Sequence, residues 1–234
     1  MAGQKTHLVL LCGLLCDRRI WDPVANHLDD IAEASIFSFA GFDDLSAMAA
    51  HVLANTEGTF ALAGHSMGGR VAIEVIKQAP HRVSKLALLN TGVHPKRDSE
   101  VPGRQKLLDM SVTEGMQAVC ESWLLPMVGT KGKQNAALMA DLRDMVVSHS
   151  AEQFKGEIHA LLNRPEAESV LRDIIVDTLL LSSDEDSWSP ISQHRDMQAL
   201  LRNSSLVGLE GVGHMSTIEA PQAVASALRD WLIR

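Results

Sequence analysis

A Gly-x-Ser-x-Gly motif at residues 64–68 is the feature that most constrains the fold of this chain. It follows an apolar run at residues 60–63 and precedes a stretch in which Val71 and Val75 repeat with helical spacing. A chain that passes from a buried strand into a helix within one turn strains the turn residue and brings the two backbones almost into contact. Only glycine leaves room for that approach, so the motif predicts a strand, a sharp turn at Ser66 and a helix.

Such a turn would expose the hydroxyl of Ser66 at the carboxyl edge of a sheet and at the positive end of a helix. The pentapeptide alone is weak evidence, because glycine and serine are both common residues. Its position between a strand and a helix is stronger evidence, since the motif indicates function only in that context. The sequence therefore predicts that Ser66 is a nucleophile.

The composition favours one compact domain with a large core, because 46% of the 234 residues are hydrophobic. A net charge of -8 argues against nucleic acid or an anionic membrane as a partner and favours a small-molecule substrate. The three cysteines form no C-x-x-C pair, which is typical of a reducing compartment, so the expected location is cytoplasmic. The sequence leaves the oligomeric state open.

Strands and helices alternate along most of the chain. The predicted strands are short apolar or alternating runs, at residues 8–11, 35–39, 60–63, 83–89, 178–181 and 206–209. This alternation predicts an α/β fold with a mostly parallel, doubly wound sheet whose functional loops gather at one edge. Residues 96–172 lack a convincing strand, which predicts a helical cap inserted into a core of residues 1–95 and 173–234.

A serine nucleophile needs a base within hydrogen-bond reach and a carboxylate that orients the base. The predicted strand at residues 178–181 is followed by three acidic residues at 184–186, and the strand at 206–209 is followed by His214. Both loops lie at the same predicted edge of the sheet as Ser66. The order serine, acid, histidine is typical of one particular fold.

The chain resembles the α/β-hydrolase superfamily, in its compact form with a helical cap. The motifs that carry the resemblance are Leu10-Leu11-Cys12-Gly13 with Trp21, the Ser66 motif, Ala79-Pro80-His81-Arg82-Val83, Asp186 with Pro190, and Gly213-His214 before Glu219-Ala220-Pro221. The resemblance implies a catalytic triad of Ser66, Asp186 and His214, and an oxyanion hole made by the backbone amides of Leu14 and Met67. Asp186 is favoured over its acidic neighbours because a residue a few positions beyond the strand can turn back beneath the imidazole.

Two features depart from the family pattern. The family usually has a histidine where this chain has Cys12, and it usually begins with an antiparallel hairpin that is missing before the first predicted strand. Cys12 is predicted to be structural, because it closes a buried strand. His65 is predicted to pack in its loop, and the other histidines lack metal-ligand spacing, so no metal and no cofactor are expected.

These observations predict a serine hydrolase that cleaves a small carboxylic ester through an acyl-enzyme on Ser66. The alternatives are a C–C bond hydrolase, a thioesterase, a perhydrolase or a cofactor-free lyase with the same triad, or a ligand receptor with slow turnover. Large side chains and few charges around residues 123–127 predict that Trp123, Leu124 and Met127 form an apolar substrate pocket. Esters with short to medium acyl or aryl groups are then expected to react in preference to charged esters.

Overall fold

A computed structural model describes residues 5–234, so the first four residues of the predicted core segment lie outside the described residues. A single six-stranded sheet forms the centre. Its strands are β1 (Thr6–Leu11), β2 (Ala32–Phe37), β3 (Phe60–His65), β4 (Val83–Leu89), β5 (Thr178–Ser183) and β6 (Ser204–Leu209). The strand order is β2-β1-β3-β4-β5-β6, and every neighbouring pair is parallel. The predicted parallel α/β sheet is confirmed.

Helices flank this sheet and connect its strands. In chain order they are α1 (Asp22–Asn26), α2 (Leu45–Ala54), α3 (Met67–Gln78), α4 (Glu100–Thr113), α5 (Met116–Trp123), α6 (Thr130–Gln134), α7 (Ala136–Val147), α8 (Ala151–Leu162), α9 (Glu168–Asp173), α10 (Ile191–Leu200), α11 (Ser216–Glu219) and α12 (Pro221–Ile233). Short 3-10 helices occur at Arg18–Ile20, Pro80–Arg82 and Leu125–Met127. No helix within residues 5–234 is both long and apolar enough to cross a membrane.

Helices α4 to α9 lie between β4 and β5, and this part of the chain contains no strand. We term residues 96–172 the insert. Its treatment as a cap domain separate from the core stays a prediction. The insert matters for the site because several of its side chains border the same cavity as Ser66.

The second strand was predicted at residues 35–39, but β2 is Ala32–Phe37. The pairing partner explains the difference, because β2 is an edge strand whose register with β1 runs from Thr6 opposite Ala32 to Leu11 opposite Phe37. Edge strands are only half-buried, so the alternation of apolar residues locates their ends poorly. Phe39, which was included in the predicted strand, is buried beyond the end of β2.

Candidate active site

The turn between β3 and α3 has the strained geometry that its glycines predict. Ser66 stands between the two elements with φ 55° and ψ -117°, a conformation that side-chain-bearing residues rarely adopt. A Cβ atom on Gly64 would overlap the carbonyl of Gly68, and a Cβ atom on Gly68 would overlap the carbonyl of Leu11. The half-buried Ser66 borders a cavity of about 620 Å³.

His214 connects Ser66 with Asp186. Its Nε2 atom lies 2.8 Å from Ser66 Oγ, and its Nδ1 atom lies 2.8 Å from Asp186 Oδ2. His214 and Asp186 are 5% and 2% exposed, so water competes little for these hydrogen bonds. The three side chains that the sequence selected from separate loops therefore lie in one hydrogen-bonded line.

Asp186 is held by donors from two further elements. The amides of Trp188 and Ser189 each donate to its Oδ1 atom at 2.9 Å, and Asn90 Nδ2 donates to Oδ2 at 2.9 Å. Burial opposes ionisation of this carboxyl, but His214 and these donors outweigh it and lower the pKa of Asp186 below its ordinary value. The local sequence around Asn90 gives no sign of this contact, because Asp186 lies 96 residues further along the chain.

The two acidic neighbours of Asp186 have other partners. Asp184 Oδ1 accepts from the amide of Gly211 at 2.7 Å, and Glu185 Oε2 accepts from the Thr130 hydroxyl at 2.8 Å. Both residues are exposed. Asp186 is therefore the acid of this loop that contacts His214.

The loop that carries His214 is braced against the insert. The His214 amide donates to the carbonyl of Met127 at 2.7 Å. Glu219 accepts from the amides of Gly129, Gly213 and Met215 at 2.8, 3.2 and 3.1 Å. Burial raises the pKa of Glu219, although these donors oppose the shift. The backbone of the insert thus helps to set the position of the imidazole.

His65 and Cys12 occupy buried supporting positions. His65 Nε2 lies 2.7 Å from the carbonyl oxygen of His214, and burial together with the nearby His214 lowers the pKa of His65 to about 3, so the ring is neutral. Cys12 is fully buried at the end of β1, and burial raises the pKa of its thiol. Among residues 5–234, no group of three or more His, Cys, Asp and Glu side chains is arranged to hold a metal ion.

The loop after β1 brings Leu14 to the same cavity as Ser66 and Met67. A Cβ atom on Gly13 would lie 3.1 Å from the Ser66 Cβ atom, which shows how closely the loop approaches the turn. Within the described residues, neither the Leu14 amide nor the Met67 amide donates to another protein group. A bound molecule would therefore not have to displace a protein acceptor from either amide.

Glu157 of α8 supports the loop after β1, although it lies 142 residues further along the chain than Leu15. Its Oε2 atom accepts from the amide of Leu15 at 2.8 Å, and Leu15 has a positive φ of 55°. Glu157 is fully buried, its Oε1 atom has no partner within the described structure, and burial raises its pKa to about 7. Sequence analysis missed this residue, because nothing in the local sequence of α8 distinguishes it from a solvated glutamate.

Replacing Glu157 with glutamine is expected to stabilise the protein at pH 8 much more than at pH 5. A pKa raised from 4.5 to about 7 means that the native state binds the extra proton, so wild-type stability falls as the pH rises through this interval. The glutamine keeps an oxygen that can accept from the Leu15 amide and has no charge to bury. At pH 8 the substitution removes the free-energy cost of burying the Glu157 charge, which is about 3 kcal/mol at most and corresponds to several degrees in Tm.

Thermal unfolding at pH 5 and pH 8 measures this effect. Glu152→Gln, on the exposed surface of the same helix, is the matched control and should show no increase between the two pH values. An equal Tm difference between Glu157→Gln and wild type at both pH values would contradict the prediction.

The cavity is lined by both apolar and charged side chains. Trp123 and Met127 border it but Leu124 does not, although all three are buried in the hydrophobic core. Leu124 follows the last residue of α5, where successive side chains point in different directions, so it need not face the cavity that Trp123 borders. Arg70 and Arg104 also border the cavity, so its lining is not wholly apolar. That Trp123 and Met127 contact substrate stays a prediction.

Comparisons with known proteins identify the family and the fold. The model of the alpha/beta hydrolase family matches residues 8–227. A protein of Pseudomonas savastanoi pv. phaseolicola, provisionally named carbamate hydrolase RutD, is 29% identical over 173 residues, which cover 72% of this chain and 66% of that protein. The chain thus spans just under two thirds of the length of that relative.

Two further matches cover nearly the whole chain. A pimeloyl-[acyl-carrier protein] methyl ester esterase of Nitrosomonas europaea is 22% identical over 241 residues, covering 96% of this chain and 94% of that protein. A solved structure of a thermophilic esterase from Thermogutta terrifontis has a TM-score of 0.88 at 23% identity, covering 99% of this chain and 91% of that one. At this identity the structural match establishes the similarity of the fold.

Proposed function

This chain belongs to the alpha/beta hydrolase family, and from that membership we propose that it cleaves a small carboxylic ester through an acyl-enzyme formed on Ser66. The observation that carries the proposal is the position of His214, 2.8 Å from both Ser66 Oγ and Asp186 Oδ2 at the edge of the cavity. Membership of the family is shown, whereas hydrolysis, the ester substrates and the role of each residue are our proposal.

In the proposed first step, Ser66 Oγ attacks the ester carbonyl while His214 Nε2 accepts the hydroxyl proton. Asp186 holds the proton of the imidazole on Nδ1, which leaves Nε2 free to accept, and it stabilises the imidazolium that forms. The alcohol leaves with the proton that His214 returns. A water molecule then attacks the acyl-enzyme by the reverse sequence of proton transfers and releases the carboxylic acid.

The negative charge of each tetrahedral intermediate needs donors that are already in place. The amides of Leu14 and Met67 suit this role because both border the cavity beside Ser66 and neither donates to another group within the described residues. One such donor contributes about 3 to 4 kcal/mol to stabilisation of the transition state. The bond from Glu157 to the adjacent Leu15 amide supports the conformation of this loop.

A fluorophosphonate probe tests the proposal, because it reacts covalently only with an activated serine. We expect rapid labelling of the folded protein, with mass spectrometry locating the adduct on Ser66, and no labelling after denaturation. Hydrolysis of a panel of methyl and aryl esters should accompany the labelling. Labelling at Ser66 with negligible turnover of every ester and thioester would instead favour a ligand receptor, a C–C bond hydrolase or a lyase.

A further inference from the structure

The cavity beside Ser66 is bordered by an excess of basic side chains that the proposed chemistry at Ser66 does not use. Five arginine and lysine side chains and one acidic side chain border the cavity, although the chain as a whole carries a net charge of -8. The cations are Arg70, Arg97, Arg104, Lys106 and Arg164, and the acid is Glu100. An excess of positive charge in a partly enclosed site needs a physical reason.

Arg164 is neutralised within the structure. Its Nη2 and Nη1 atoms donate to the two oxygens of Glu100 at 2.6 and 3.0 Å, and Nη1 also donates to the carbonyl of Leu161 at 2.8 Å. Burial opposes ionisation of Glu100, but its bonds with Arg164 lower its pKa to about 2. Arg164 and Glu100 therefore form a structural ion pair that joins the end of α8 to the start of α4.

Arg70 has no such partner. It lies four residues after Ser66 on α3 and is only 9% exposed. Its Nη2 atom donates to the carbonyl of His94 at 3.2 Å, while its buried Nη1 atom has no hydrogen-bond partner within the described residues. Burial and the nearby Arg164 lower the pKa of Arg70 to about 9. A buried guanidinium with unused donors is costly unless an anion reaches it.

Arg104 of α4 is also incompletely compensated. Its Nη2 atom lies 3.6 Å from Glu100 Oε2, beyond normal hydrogen-bond distance, and Arg164 already occupies that carboxylate. His94 is neutral and does not change this balance, since burial and the adjacent Arg70 and Arg164 lower its pKa to about 4. Arg70 therefore has no carboxylate partner within the described residues, and Arg104 shares Glu100 with Arg164 through a longer ion pair.

We propose that Arg70 and Arg104 bind a carboxylate group of the substrate, so that the enzyme hydrolyses esters whose other end is an anionic carboxylate. Guanidinium groups bind carboxylates through charge-assisted, often paired, hydrogen bonds. Arg70 and Arg104 border the same cavity, and two guanidiniums can serve the two oxygens of one carboxylate. This inference rests on the proposed ester hydrolysis and adds the class of substrate to it.

Arg70 lies close to Ser66 in the chain. The two residues are separated by about 6 Å along the axis of α3 and border the same cavity, so one small substrate can contact both. A chain of a few carbon atoms spans such a distance. Monoesters of short dicarboxylic acids, such as monomethyl glutarate, fit this requirement. Preference for such esters is the opposite of the preference for uncharged esters that the sequence predicted.

The test compares monomethyl glutarate with methyl 5-methylhexanoate, in which an uncharged isopropyl group replaces the carboxylate. We expect wild-type kcat/KM to be about ten- to a hundredfold higher for the anionic ester, which is the usual effect of hydrogen bonds to a charged group. The ratio of the two values should fall by at least tenfold in Arg70→Met and in Arg104→Met. Arg229→Met removes a half-buried arginine on α12 that pairs with Asp30 and does not border the cavity, and it should leave the ratio at its wild-type value.

A binding measurement makes the test independent of turnover. Calorimetry with the Ser66→Ala protein should give a Kd for monomethyl glutarate at least tenfold lower than that of the isopropyl analogue, and Arg70→Met in the same background should abolish the difference. Equal binding of both esters, or an unchanged ratio in both arginine variants, would overturn this inference while leaving ester hydrolysis at Ser66 intact. Failure of fluorophosphonate labelling would instead contradict the proposed ester hydrolysis through Ser66.

Discussion

Replacing Ser66 with alanine is expected to reduce ester turnover by about a million-fold and to leave the fold intact. Losses of that size follow removal of the nucleophile from a triad, because the remaining groups cannot form the acyl-enzyme. The fold should survive because Ser66 is half-buried at the edge of a cavity and its hydroxyl bonds only to His214 among the described residues. Initial rates with a 4-nitrophenyl ester measure the loss of turnover, and Tm values measure whether the fold is retained.

Ser187→Ala is the matched control for this variant. Ser187 also borders the cavity and is exposed, so the substitution removes a hydroxyl from the same site without touching the line of hydrogen bonds to Asp186. Its turnover should stay within about threefold of wild type. Turnover by Ser66→Ala within tenfold of wild type, with the enzyme purified free of contaminating esterases, would show that Ser66 is not the nucleophile.

Asp186→Asn is expected to reduce turnover by about ten-thousandfold. The amide that replaces the carboxylate can donate to Nδ1 of His214, which moves the imidazole proton to Nε2 and removes the base that Ser66 needs. The neutral asparagine side chain also cannot stabilise the imidazolium. Initial rates across pH 6 to 9 measure the effect, because a loss due to the wrong tautomer should persist over the whole range.

The surroundings of Asp186 also predict a loss of stability, which the sequence did not indicate. Oδ1 accepts from two backbone amides and Oδ2 accepts from Asn90, so every orientation of the new amide places its NH₂ group against a donor. An unsatisfied buried donor costs about 1 to 3 kcal/mol, or several degrees in Tm. Asp184→Asn and Glu185→Gln alter exposed neighbours and should cost much less activity. If Asp184→Asn were the crippling change, the assignment of the acid would be wrong.

Local sequence predicted the nucleophile turn well because the constraint there is steric and short in range. Gly64 and Gly68 leave room for the close approach of two backbones that are adjacent in sequence. The five residues of the motif are therefore nearly sufficient to predict the turn. The strand β4 was predicted with the bounds that it has, Val83–Leu89, because a strand in the middle of a parallel sheet is apolar throughout its buried part. The edge strand β2 is not apolar throughout, so its bounds were predicted less well.

Supporting residues around the candidate site were harder to find, because their partners are distant in sequence. Asn90 reaches Asp186, Glu157 reaches Leu15, and Glu219 reaches Gly129 across the boundary of the insert. Only Glu219 had a sequence signal, as part of a family motif after His214. A polar residue in a single sequence does not reveal which buried donor it will meet.

The sequence by itself determined the order of strands and helices, the turn at Ser66 and the loops that present Asp186 and His214, because periodicity, glycine sterics and position after a strand are local properties. Only the tertiary structure decided the character of the cavity. Arg70 and Arg104 belong to α3 and α4, and in sequence each is an ordinary charged residue on a helix. The folded chain brings both guanidiniums to the same cavity, where the carboxylate of Glu100 is already bound by Arg164. Charge compensation depends on distances in space, and a sequence pattern does not contain them.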